Sequence, residues 1–390
     1  MKRASLHLVS GVVMVSLMMP WATASARMVP PDPDNAALLY YQAFLTVADL
    51  DKEARTRIGD VATGKAPVDE KVREDIAKCR GAIDFAEAAR DLRICHWGFR
   101  YSQGFDALMP QLAQMRFLAY VLITDARVRA SDGDYRAALD RCLMMGPFAR
   151  HVGDDTLISY LVAVAVRRVA YECMESLIGQ AAGDAELLKW LQGELATSEG
   201  EPPFPITALK IEREIALDAM RMEKIEDLTR ILTDSGEHAK RAEILAQANE
   251  QIMAEARRVY SENMSAALAV LAGALPYEQA HRQLTQLGEK LDANDPVMTM
   301  ADALMPALLK VLTIKTVQEA HARATRAAVD ICLHRAMTGQ LPATLPAGLP
   351  KDPFSGRDFQ YERTTTGFVL RCQGKDLDKD TIHEFAFTVK

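Results

Sequence analysis

Carboxylates are plentiful in this chain while histidines and cysteines are few, and spacing decides what chemistry each can do. Eight histidines and six cysteines are spread over 390 residues. Cys95 and His96 are the types of a nucleophile and its base, but such a pair must meet in space with a third group orienting the base. Trp97, Phe99 and Tyr101 follow at once, so the stretch is expected to be an aromatic connector anchored to a helical core. His151, Asp154 and Asp155 match a metal or acid–base cluster. They equally describe a helix stop followed by an acidic N-cap, which is the expectation here. Glu212, Glu214 and Asp218 lie among Lys210 and Arg213 and are expected on a solvated helix face. Gly59 to Lys65 fits G-x-x-x-x-G-K, yet Ala66 and Pro67 stand where a phosphate loop needs Ser or Thr for magnesium. The signatures G-x-S-x-G, H-E-x-x-H and C-x-x-C are absent, so no catalytic residue is assigned.

Two further groups carry sharper expectations. Asp376, Asp378 and Asp380 alternate in a short acidic run, and alternating carboxylates can converge on a hard cation such as calcium. The run is not an EF-hand, because Thr381 and Phe387 occupy the positions that need Gly and Glu. Cys332 and Cys372 form the disulfide candidate. Strand alternation puts Phe368, Leu370 and Cys372 on one face, while Ala328, Cys332 and Ala336 recur every four residues on the preceding helix. Packing that helix on that face would bring the two cysteines together. Cys142 and Cys173 lie in apolar helical stretches and are expected as buried free thiols.

The elements that must position these residues are mostly helices. Lys2 and Arg3, the apolar run Leu8 to Met19, and Ala24-Ser25-Ala26 have the order of a signal peptide over 1–26, cleaved before Arg27. Loss of its two cations takes the net charge from −7 to −9. An acidic exported chain without a basic stripe has no electrostatic reason to bind nucleic acid. The later apolar runs are too short to span a bilayer once the signal is removed. An N-terminal helical region is expected over 27–196. It carries helices near Ala36–Leu45, Val68–Arg90, Leu108–Ala126, Tyr135–Arg150 and Ile158–Leu177. Gly133 and Asp134 mark one hairpin turn. The breaker-rich 197–205 reads as a linker. A second helical region covers 206–324, with helices near Ile206–Ile231 and His238–Val259 and one continuous helix from Met298 to Met337. The fold class expected is mainly α, a multi-helix array of antiparallel helical hairpins closed by a small three-stranded α+β module over 325–390.

That module carries a resemblance. A helix through His334 runs into Thr338-Gly339-Gln340-Leu341-Pro342, then Asp352-Pro353-Phe354-Ser355-Gly356, and closes near Gly374-Lys375-Asp376. The order resembles the soluble half of type II secretion major pseudopilins. The resemblance implies a helix packed on short antiparallel strands, and a calcium loop after the G-x-D. The segment around Gly11-Val12-Val13 lacks the Phe-led helix with Glu at its fifth position that opens true pseudopilins. The region Asn35 to Ile178 resembles a group of exported bacterial helical proteins of unassigned activity, through Asn35 to Phe44, Cys95-His96-Trp97, Leu108 to Leu112 and the Gly133 turn. The expected function is an exported, periplasmic or extracellular, non-catalytic scaffold that binds other envelope proteins and requires no cofactor. The alternative is an envelope hydrolase whose active site lies in a groove between helical layers.

Overall fold

The computed structural model describes residues 32–389 apart from 48, 154, 198–203, 234–247 and 290–294. The expected signal peptide, most of the linker and Asp154 lie outside the described residues. Helix starts are set by the caps that the sequence offers. Asn35 Oδ1 accepts from Ala37 N at the head of α1 (Ala36–Thr46). Asp51 caps α2 (Lys52–Ala62) and Asp69 caps α3 (Glu70–Lys78) in the same way. At Cys79 the backbone leaves helical geometry, so the expected Val68–Arg90 helix is two helices, α3 and α4 (Arg80–Ala89). The break lets Gly81 face α1, where an added Cβ would meet Thr46 at 3.3 Å.

Three long helices form the middle of the molecule. Pro110 opens α5 (Pro110–Ser131), a position where its missing N–H has no partner to lose. Met115, Leu118, Leu122 and Ala126 of α5 are buried as their spacing predicts, whereas Leu108 precedes the helix and is 85% exposed. Gly133 takes a left-handed φ of 86°, and Asp134 caps α6 (Tyr135–Val152). A Thr156–Ser159 capping box opens α7 (Leu157–Gln180). Arg141 of α6 is buried beside Asp125 of α5, which also pairs with Arg129. Arg141 Nη2 reaches Glu87 of α4 at 2.5 Å. A buried arginine is tolerated because two carboxylates satisfy it.

Next come α8 (Ala185–Thr197), α9 (Ile206–Ala219), α10 (Ile225–Thr233), α11 (Glu250–Ala272), α12 (Tyr277–Gly288), α13 (Pro296–Ala303) and α14 (Leu308–Thr338). The single helix expected from Met298 to Met337 is therefore interrupted, with Pro306 in the gap between α13 and α14. The stretch 296–338 is long enough, and contains a segment apolar enough, to cross a bilayer by length and composition, and 33% of that segment is buried inside the protein. Gly339 ends α14 in a left-handed conformation.

The chain closes on a three-stranded antiparallel sheet in the order β1 (Gln360–Arg363), β2 (Gly367–Arg371), β3 (Glu384–Thr388). Phe368, Leu370, Cys372, Phe385 and Phe387 are buried, so the alternation read from the sequence sets the inner face. The sheet is covered by α7 as well as α14. Gly179 of α7 comes so close to β3 that a Cβ there would lie 1.9 Å from the Thr388 carbonyl oxygen. Among the described residues, buried side chains join in one large hydrophobic core, with a small second cluster of Tyr160, Val164 and Val311.

Candidate functional site

A grouping of histidines and carboxylates lies where the β2–β3 connection meets α12. Asp376 and Thr381 exchange backbone hydrogen bonds and close a tight loop. Inside it Asp376 is fully buried: Oδ1 accepts from the backbone of Asp378 (3.0 Å) and Lys379 (3.2 Å), and Oδ2 from His383 Nε2 (3.1 Å). Asp378 turns the other way, accepting from His281 Nε2 of α12 at 3.0 Å. Asp380, at a positive φ of 58°, pairs with Lys375. Tyr277 of α12 sits beneath the loop. Its hydroxyl accepts from Leu377 N (3.1 Å) and hydrogen-bonds Thr313 Oγ1 of α14 (3.1 Å). Burial pushes its phenol above the ordinary value, so it stays a neutral donor. Phe354 stacks on His383 and meets Tyr277 edge-on.

The three carboxylates expected to share a calcium ion therefore point at three different partners: His383 with two backbone amides, His281, and Lys375. No group of three or more His, Cys, Asp or Glu side chains among the described residues is arranged to hold a metal.

Two His–carboxylate dyads remain at this loop, each with an imidazole donating Nε2–H to an acceptor-only carboxylate, and a third pair, His321 Nδ1 with Glu175 Oε1 at 3.1 Å, lies between α14 and α7. Such a dyad is the base and its orienter in nucleophilic catalysis, and it needs a Ser, Thr or Cys on the other ring nitrogen. Among the described residues no such hydrogen bond is made to His281 or His383. Asp378 does line a cleft of about 470 Å³, whose walls include Leu284, Leu287, Met305, Leu308 and Leu309. This volume is of ligand-binding size, and the walls are mostly apolar. A wider hollow of about 600 Å³ lies between α6 and α8, where Arg136 stacks on Trp190 at 3.7 Å. Its walls hold no histidine or cysteine.

The other expected candidates are drawn into the framework. Cys95 donates its thiol to the His151 carbonyl, and burial pushes its pKa up to about 12, so it is no thiolate nucleophile. His96 binds Asn35 only through its backbone. Trp97 Nε1 also donates to the His151 carbonyl (2.7 Å), and its ring packs with Tyr40, Tyr41 and Phe44. The His151 ring is buried, lying between Tyr40 OH (2.8 Å) and the Leu92 carbonyl (2.7 Å). The carbonyl fixes the proton on Nε2, leaving Nδ1 to accept from Tyr40. In the phosphate-loop match, Gly59 to Ala62 are the last turn of α2, and Gly64 is left-handed just beyond it. Glu212 is not on a solvated face: it accepts from Leu157 N at the head of α7, and burial raises its pKa. Asp218 pairs with Arg221 and Lys224.

Cys332 and Cys372 are both buried and both free thiols. Cys332 lies beside Tyr361 of β1, with its pKa pushed up to about 12 by burial. Cys372 turns instead to Asp352, so the expected bond is absent from this structure. Asp352 is what the sequence reading missed. It is fully buried and accepts from Phe354 N, Gln373 N and Gly374 N (2.9 Å each) and from Ser355 Oγ (2.6 Å). The signal lay in the Asp352-Pro353-Phe354-Ser355-Gly356 turn itself, because Asp before such a turn hydrogen-bonds its own backbone.

No protein family, curated protein or solved structure matches this chain.

Proposed function

We propose that this chain is an exported, non-catalytic helical scaffold that engages other components of the cell envelope. One observation carries the reading. In the C-terminal loop Asp376 and Asp378 face internal partners, while large apolar side chains of α1 face solvent: Leu38, Tyr41 and Leu45 are 49%, 41% and 76% exposed at i, i+3 and i+7. A row at that spacing is one face of a helix, and an uncovered apolar face suits a partner more than it suits water. The His281–Asp378 dyad joins the β2–β3 connection to α12, and the Asp376–His383 dyad closes that connection on itself, structural tasks that account for both.

A second reading, an envelope hydrolase, draws on Asp378 lining the apolar cleft with His281 behind it. The two readings part experimentally. A photo-crosslinking residue at Leu45, in protein exported by its host, is expected to give one discrete adduct. Leu38→Ser should abolish the adduct and His281→Gln should leave it intact. An adduct indifferent to Leu38→Ser, or ester or peptide hydrolysis by the purified protein that His281→Gln removes, would overturn the scaffold reading.

A further inference from the structure

The antiparallel pair α6 and α7 has a definite register. Tyr135 OH at the start of α6 donates to Gln180 Oε1 at the end of α7 (3.4 Å). Seven residues is close to two helical turns, so the residue seven after Tyr135 and the residue seven before Gln180 return to the same seam. Those residues are Cys142 and Cys173. Both are buried free thiols, at 2% and 0% exposure, and each is the main influence on the other's ionisation. None of the other four cysteines faces a thiol in this way. Cys95 is on the His151 carbonyl, Cys372 on Asp352, Cys332 beside Tyr361 and Cys79 beside Asp75.

We infer that Cys142 and Cys173 are the chain's disulfide site, joining α6 to α7 when the protein folds in the presence of a small-molecule or enzymatic disulfide oxidant. The inference is independent of the scaffold proposal, because it depends only on the α6–α7 seam. In the exchange, one cysteine thiolate attacks the oxidant's disulfide and releases one of its sulfurs as a thiol. The second cysteine then attacks the mixed disulfide and releases the other. Two protein thiols and one oxidant disulfide become one protein disulfide and two oxidant thiols, with both protons carried off. In the closed seam neither sulfur is accessible to an oxidant. The exchange therefore belongs to folding, before α6 and α7 close.

The test is to refold the full reduced chain in a mixture of oxidised and reduced glutathione, block free thiols under denaturing conditions, and map peptides without reduction. The expected product is a single cross-linked pair containing Cys142 and Cys173, with the other four cysteines blocked. Reductant should then lower the melting midpoint of the oxidised chain, and should leave a Cys142→Ala/Cys173→Ala double variant unmoved. Complete blocking of Cys142 and Cys173 in the refolded wild-type chain, or a cross-link to any other cysteine, overturns the inference. The wild-type map decides the matter even if the double variant fails to fold.

Discussion

At the residue scale, the C-terminal turn depends on Asp352 more than on any side chain singled out for chemistry. Its carboxylate satisfies three backbone amides and a hydroxyl in a site closed to water. Asp352→Ala leaves those amides unpaired, which is expected to cost about 3 kcal/mol or more, at roughly 1 kcal/mol or more for each. Urea denaturation checks this, and a loss below about 1 kcal/mol would mean that water substitutes freely. Glu212 gives a prediction of opposite sign. Burial raises its folded pKa, so the protonated group is the one the fold tolerates. Stability linked to this site is complete below the unfolded carboxylate value and is lost as pH rises through the folded one. Glu212→Gln keeps an oxygen for Leu157 N and removes the charge. It should therefore raise the melting midpoint at pH 8 and have little effect near pH 4. An equal shift at both would show that packing, not ionisation, is responsible.

At the element scale, helix positions and the inner face of the sheet were legible because each rests on a local signal. Asn35, Asp134 and Gly133 are caps and a stop, and Phe368, Leu370 and Cys372 alternate. The helix breaks at Cys79 and Pro306 were missed, and the expected Ile206–Ile231 helix is likewise broken, at Met220. At Cys79 and Met220 continuous helical spacing masks a turn that tertiary packing selects, whereas Pro306 is a local breaker that the spacing alone overrode. The candidate site was legible in part. The acidic run was found, but its partners Tyr277 and His281 lie about a hundred residues upstream, and only the fold brings them there. The role of α7 as a sheet cover had one clue, Gly179, and nothing in one sequence says what a helical glycine faces. Gly179→Ala is expected to push α7 and β3 apart, with a loss of about 1–3 kcal/mol. Hydrogen exchange should quicken at 384–388 before it does in α5. Unchanged exchange there would refute the close approach.

At the scale of the whole molecule, α7 and α14 carry the sheet on the same core that their other faces build. Calorimetry of the chain is accordingly expected to show one cooperative transition, with calorimetric and van't Hoff enthalpies in agreement. A fragment of residues 339–389 has three short strands and no cover, and should give no sheet signal in circular dichroism. A separate early transition, or a folded fragment, would show the module to be autonomous. The Gly179 contact also has a bearing on time. Thr388 lies more than two hundred residues downstream of the glycine that receives it. At ribosomal speeds of about 5–20 residues per second, the matching face of α7 waits roughly 10–40 s for its strand. Through that interval the nascent chain displays an apolar helix flank that it cannot cover from its own resources, a natural landing place for a holdase.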